Sequence, residues 1–368
     1  MLKKVTFENF KNFNGAFSID FSNPKNYGFS ESLVNNNTIT KSIIYGPNGS
    51  GKSNLGLAIM DITLHLTDKE KMLHKYDLYY NLQNGIHSVS FTYEFEFDGI
   101  PISYHYKKSD PETILFEQLL INSEQIIYYD FEKNEGFTKL EGTETLTFVS
   151  DSSKISKLKY IYNNAILGET VNCTVFKKLM EYVNRMLLFY SLDDRGYQGL
   201  ITGREKLAKG IIESGKLKDF ETFLNDMGIH YSLDSVDVNG ELQIYCNMGE
   251  SFVDIFKIAS TGTKSLILFY YWYIKMSEAS FVFIDEFDAF YHFELARNLI
   301  RKLITLDEQQ IVLTTHNTDL MTNDLLRPDC YYLIGEKRII PLSDATEKEL
   351  RKAHNLQKMY KAGAFRVD

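Results

Sequence analysis

Ser42-Ile43-Ile44-Tyr45-Gly46-Pro47-Asn48-Gly49-Ser50-Gly51-Lys52-Ser53 is a short apolar run that breaks into glycines and closes on a lysine and a hydroxyl. From Gly46 onward it satisfies the spacing G-x-x-x-x-G-K-[ST] at every required position. A strand that turns sharply into a helix leaves the first-turn N–H groups unpaired, and those groups bind an anion. Gly46, Gly49 and Gly51 let the backbone wrap a triphosphate, with Asn48 and Ser50 between them; Lys52 reaches its β and γ oxygens, and Ser53 offers a hydroxyl to Mg²⁺. Leu55, Ala58, Ile59, Ile62 and Leu66 then recur at helical spacing, so the helix that the loop requires is supported independently. A glycine-rich turn with a chance lysine would not explain strand and helix together, and the loop reads as a nucleotide site.

Three later segments carry matching chemistry. Phe281-Val282-Phe283-Ile284-Asp285-Glu286 is an apolar run ending in two carboxylates, as expected of a buried parallel strand delivering acids to its C-terminal edge. Asp285 is then the candidate Mg²⁺ ligand and Glu286 the candidate base for the attacking water. Ile311-Val312-Leu313-Thr314-Thr315-His316 repeats the design with an imidazole at its end, which makes His316 a second catalytic candidate. Ser260-Thr261-Gly262-Thr263-Lys264 follows a strand pattern from Phe252 to Ile258 and opens an apolar helix of Leu266, Phe269, Tyr270 and Ile274. Hydroxyls and free amides at a helix start form either an anion site or an ordinary cap.

The composition bounds the rest. With 368 residues and 44% hydrophobic side chains, the chain can bury a large core, as two domains or as one with a large insertion. No apolar run approaches the roughly 20 residues that span a bilayer, and the N-terminus reads as a strand, so a soluble cytoplasmic protein is expected. Cys173, Cys246 and Cys330 lie too far apart for a zinc or disulfide pattern and are expected to be buried apolar residues. A net charge of −9 argues against a surface built wholly to grip nucleic acid. Lys154, Lys157, Lys159, Lys206, Lys209, Lys216 and Lys218, and Arg351, Lys352, Lys358, Lys361 and Arg366, read as solvated helix faces, with local nucleic-acid contact as the alternative.

Val5 and Phe7, then Phe17, Ile19 and Phe21, alternate as strands do, and residues 22–40 read as a loop. Val89 to Phe97 and Ile102 to Tyr106 flank the turn Asp98-Gly99 and predict a hairpin, continued as a β meander over 113–130. Phe176, Leu179, Met180, Val183, Leu187 and Tyr190 predict one helix; Phe220, Phe223, Leu224 and Met227 predict another, ending at Gly228. A strand pair is expected around Asn239-Gly240. The expected architecture is α/β: an ATPase lobe with its β meander over 1–150, a helical insertion over 151–228, a second ATPase lobe over 229–343 and a C-terminal helix or tail over 344–368.

The order of these elements, with Asp288 after the acids, resembles an ABC-type ATPase head of the SMC, RecF and OLD-like branch of P-loop NTPases. It is most like the compact AAA15/AAA21-type ATPases of bacterial anti-phage systems. Phe10-Lys11-Asn12-Phe13 and the segment His354 to Phe365 are similar to the opening and ending of that group. The resemblance implies that two copies pack head to tail, with Ser260, Thr261, Gly262, Thr263 and Lys264 as a signature closing over ATP in trans. It further implies that Asp288 lies in the inter-subunit loop and that Lys11 and Asn12 lie near the nucleotide. Thr261 stands where the usual signature has a glycine, and Gln83 and Gln118 are both candidates for the metal-contacting glutamine. The 52 residues after His316 are too few for an OLD-like nuclease domain, so a separate nuclease or toxin is the implied effector. A DNA repair ATPase binding DNA directly is the alternative; a transporter subunit and a non-hydrolysing scaffold fit less well.

Overall fold

The computed structural model describes residues 1–146, 155–191, 196–203 and 205–367. Lys154 and the expected boundary between residues 150 and 151 lie outside them. Two large sheets sandwich one helix. The central sheet has seven strands in the order Tyr197–Gly199, Met186–Tyr190, Phe281–Asp285, Gln310–Thr315, Lys41–Tyr45, Tyr331–Ile334, Ile339–Pro341. The five inner strands run parallel, and the outer two close antiparallel hairpins. Every residue of Met186–Tyr190, Phe281–Asp285, Gln310–Thr315 and Lys41–Tyr45 is buried, as parallel strands covered on both faces require.

The second sheet is an antiparallel lobe that joins the N-terminal pair Leu2–Glu8 and Ala16–Asp20 to the meander Val89–Phe97, Ile100–Lys108, Ile114–Ile121, Glu124–Asp130 and Glu135–Thr138. Between the sheets lies the helix Lys52–Leu66, buried on nearly every face. Gly56 explains how it comes so close: a Cβ there would stand 2.6 Å from the ring of Phe283, so only glycine lets the helix lie on the acidic strand. On the opposite side Tyr93 donates to the carbonyl of Ala58 at 2.6 Å, which fastens the lobe to the same helix.

The insertion contributes the helices Lys157–Asn164, Val171–Asn184, Leu207–Glu213 and Leu217–Asp226, and it also feeds the central sheet. The helix expected to continue through Leu187 and Tyr190 ends at Asn184, and Met186–Tyr190 pairs in parallel with Phe281–Asp285. Met186-Leu187-Leu188-Phe189-Tyr190 is apolar throughout, and periodicity cannot separate such a run from a helix segment. The strand expected from Phe252 to Ile258 covers only Phe252–Asp254; Asp254 then accepts from the amide of Phe256 at 2.9 Å and caps the single turn Ile255–Ile258. The pair around Asn239-Gly240 forms as Ser232–Val238 and Glu241–Asn247. Cys173, Cys246 and Cys330 are buried free thiols. No helix among the described residues is long and apolar enough to cross a membrane.

Candidate functional site

Because the inner strands run parallel and in register, their C-terminal ends deliver Tyr45, Thr315 and Asp285 side by side. The residues that follow are Gly46, His316 and Glu286. Segments more than two hundred residues apart in sequence thus meet at one edge, the arrangement expected for a ligand site of an open α/β sheet.

Gly51 caps the phosphate-loop helix at φ 96, and a Cβ on it would stand 2.7 Å from the side chains of Asn12 and Phe13. Asn12 also accepts from Asn54 at 2.7 Å, so the N-terminal segment touches the loop and its helix. The Lys11 ammonium donates to the carbonyls of Lys75 and Asp77, at 2.9 and 2.7 Å. Asn48 and Gly49 are exposed at the loop's tip. The Ser50 hydroxyl is buried without a hydrogen-bond partner among the described residues.

The Lys52 ammonium lies over the loop, donating to the carbonyls of Gly46 at 2.9 Å and Pro47 at 3.1 Å. Burial lowers its pKa from the ordinary lysine value, opposed by the negative charges of Asp285 and Glu286, which places all three in one electrostatic neighbourhood. Ser53 and the buried Asp285 supply only oxygen, the donor type that suits Mg²⁺ with phosphate oxygens beside it.

Glu286 sits at φ 48, the left-handed region that is uncommon for any residue but glycine. Its amide donates to the Thr314 hydroxyl at 2.8 Å, and that hydroxyl donates to Asp285 Oδ1 at 2.6 Å. His316 Nε2 lies 4.0 Å from Glu286 Oε1, with both side chains about a third exposed. The Thr315 hydroxyl donates to Asp288 Oδ1 at 2.6 Å, and burial raises the pKa of Asp288.

Ser260 caps the helix Thr261–Met276, its hydroxyl accepting from the amide of Thr263 at 3.1 Å and lying 2.9 Å from the Thr263 hydroxyl. Thr261 is exposed, Gly262 and Lys264 half-buried. Gly262 adjoins the carbonyl of Phe290, and Ser265 is hydrogen-bonded to Tyr291 at 2.9 Å, so this segment and the Asp288 loop form one surface.

Neither glutamine candidate bonds to the phosphate loop among the described residues. Gln83 is exposed near Asn14, and Gln118 sits in the meander opposite His105 and Tyr128. The glutamine that grips the phosphate-loop helix is the buried Gln198, whose Nε2 lies 2.9 to 3.0 Å from the Met60 carbonyl and the Thr63 and Tyr76 hydroxyls. Nothing in its local sequence distinguishes it.

The central lysines are largely neutralised: Lys159 pairs with Asp68, Lys206 with Glu241, Lys209 with Glu213, Lys216 with Asp219 and Lys218 with Glu221. A cavity of about 680 Å³ lies elsewhere, between Lys71–Lys75 and the face of the Thr261–Met276 helix that carries Leu268 and Trp272, and it includes no phosphate-loop residue. Motif and charge, rather than concavity, locate the chemistry.

Residues 188–322 match the family described as "AAA domain, putative AbiEii toxin, Type IV TA system". The matched stretch includes the Ser260–Lys264 segment, both acids and His316, and leaves out the phosphate loop. No curated protein matches the chain. Similar solved structures include the SMC head domain from Thermotoga maritima, at 17% identity over 92% of this chain and 98% of that one, TM-score 0.45. Another is an SMC head domain with an extended coiled coil bound to the C-terminal domain of ScpA derived from Pyrococcus furiosus, at 13% identity over 92% and 95%, TM-score 0.45. A third is an SMC head bound to the C-terminal winged-helix domain of ScpA, at 14% identity over 92% and 96%, TM-score 0.47.

Proposed function

We propose that the chain is an ATP-hydrolysing P-loop ATPase that works as a dimeric switch, engaged when ATP binds and released on hydrolysis; the match of residues 188–322 to the AbiEii-type family supports this reading. The observation that carries this reading is the convergence of Lys52, Asp285, Glu286 and His316 at adjacent strand ends. In it, the loop amides and Lys52 hold the triphosphate, and Glu286 takes the proton of the attacking water. His316 hydrogen-bonds the γ-phosphate or that water. Ser53 and Asp285 would hold Mg²⁺, which when bound would neutralise charge on the phosphates. Ser260 to Lys264 and Asp288 share one surface and are offered to the nucleotide of a second copy.

The output is assigned to a separate nuclease or toxin, with the ATPase as sensor in anti-phage defence and the insertion and C-terminal helix relaying its state. The toxin–antitoxin description of the matched family supports an effector of that kind. The ion pairing of the central lysines gives no support to direct DNA binding as the main role.

The test is Glu286→Gln. It should bind ATP normally, lose turnover by about 10²- to 10⁴-fold, as for a lost general base, and accumulate an ATP-bound dimer in sedimentation. Normal turnover would remove Glu286 from catalysis, and a monomer at saturating ATP would remove the dimeric switch.

A further inference from the structure

We propose that Thr314 and Thr315, neighbours at the end of one strand, are the positioning residues of this site: Thr314 aims the Asp285–Glu286 pair, and Thr315 aims Asp288. The inference rests on the ATPase reading above and deepens it.

Both threonines are 0% exposed. Thr314 Oγ1 has one proton to give and gives it to Asp285 Oδ1 at 2.6 Å, while its lone pair takes the amide of Glu286 at 2.8 Å. The amide can only donate, so it takes a lone pair of the hydroxyl and leaves the hydroxyl's one proton for Asp285. The Thr314 carbonyl accepts from the amide of Phe287 at 3.2 Å. One residue thus pins three successive positions, Asp285 to Phe287, through the turn in which Glu286 adopts φ 48. Backbone in that region persists where its surroundings over-determine it, and Thr314 supplies that determination.

Thr315 points to the other face of the sheet. It donates to Asp288 Oδ1 at 2.6 Å and accepts from the amide of Asn317 at 2.9 Å, tying the Asp288 loop to the residue after His316. Valine would fill either site with the same shape and make neither bond, so a purely space-filling role does not account for these hydroxyls.

The experiment uses the full chain with Thr314→Val, Thr314→Ser and Thr315→Val beside Glu286→Gln. Thr314→Val should keep ATP affinity and melting temperature near wild type. Its kcat should fall about 10- to 100-fold, and the Mg²⁺ concentration for half-maximal activity should rise about tenfold, the range for lost outer-shell partners. Thr314→Ser should recover most of the rate. Thr315→Val should weaken the ATP-dependent dimer.

Wild-type kcat in Thr314→Val, a Ser variant as impaired as the Val variant, or an unaltered dimer in Thr315→Val would overturn the respective assignment. If Thr314→Val does not fold, Thr314→Ala carries the same expectation. Should Glu286→Gln lose turnover while Thr314→Val keeps it, this inference fails and the catalytic reading stands; should Glu286→Gln keep it, the catalytic reading itself fails.

Discussion

Lys108 and Asp61 form an ion pair at 2.7 Å with both side chains fully removed from solvent. Asp61 belongs to the phosphate-loop helix and Lys108 to the β lobe, so the pair bolts the nucleotide-binding helix to the antiparallel sheet. Tyr79 and Tyr106 donate to the same carboxylate at 2.7 and 2.8 Å, which brings its donors to three. A buried pair completed in this way is costly to break from one side.

Lys108→Met should therefore destabilise the protein by about 3 to 5 kcal/mol, because it leaves Asp61 charged and without its counter-ion. Adding Asp61→Asn should restore much of the loss. Urea unfolding midpoints measure both, and a single variant as stable as the double would show that the pair does not hold the lobe.

The phosphate loop offers a sharper contrast. Gly51→Ala would place a Cβ 2.7 Å from Asn12 at φ 96, so the loop must distort; we expect about 1 to 3 kcal/mol of strain and at least about tenfold weaker ATP binding. Titration with a fluorescent ATP analogue tests this, and wild-type affinity would mean that the N-terminal segment is not packed against the loop. Lys52→Ala should weaken ATP binding without comparable strain.

Gly262→Ala should behave oppositely in the fold. Its Cβ would meet the carbonyl of Phe290 at 3.5 Å, an ordinary contact, and a helix gains up to about 1 kcal/mol when glycine becomes alanine. The variant should melt no lower than wild type. Loss of ATPase activity in this well-folded variant would then point to the surface that faces a second copy, and a markedly lower melting temperature would contradict the helix start at Thr261.

His65 gives the pH dependence. It is fully buried beside the hydroxyl of Tyr104 at 2.9 Å, and burial, with Lys108 and Lys71 nearby, pushes its pKa well below 6.5. Folded, the ring stays neutral where the unfolded chain would bind a proton. Its contribution is therefore fully present above about pH 6.5 and is lost as pH falls, by up to about 1.4 kcal/mol per pH unit. The buried acids Glu117 and Asp288, whose pKa values are raised, contribute with the opposite sign and are present in both proteins compared. Urea midpoints of wild type and His65→Gln between pH 5 and 7.5 should diverge toward acid, and parallel curves would show that His65 is not held neutral.

Much of the candidate site was legible before folding because its motifs are local. The phosphate loop, the acids closing an apolar strand and the histidine closing another each carry their meaning within a few residues. Asn12 and Lys11 were singled out only through resemblance; Asn12 touches the phosphate loop, and the Lys11 ammonium bonds to the carbonyls of Lys75 and Asp77. Met186–Tyr190 was read as the end of a helix because an all-apolar run suits a buried strand and a buried helix equally.

By itself, the sequence determined that a glycine-lysine-serine turn joins a strand to a helix and that two carboxylates and a histidine close later apolar strands, since each of these patterns is complete within a few residues. Tertiary structure alone decided that Phe283 and Gly56 touch, that Glu286 turns through a left-handed position, and that Thr314 reaches an aspartate 29 residues away. The physical reason is that a hydroxyl's partner is set by which strand lies beside it, and strand order is a property of the assembled sheet.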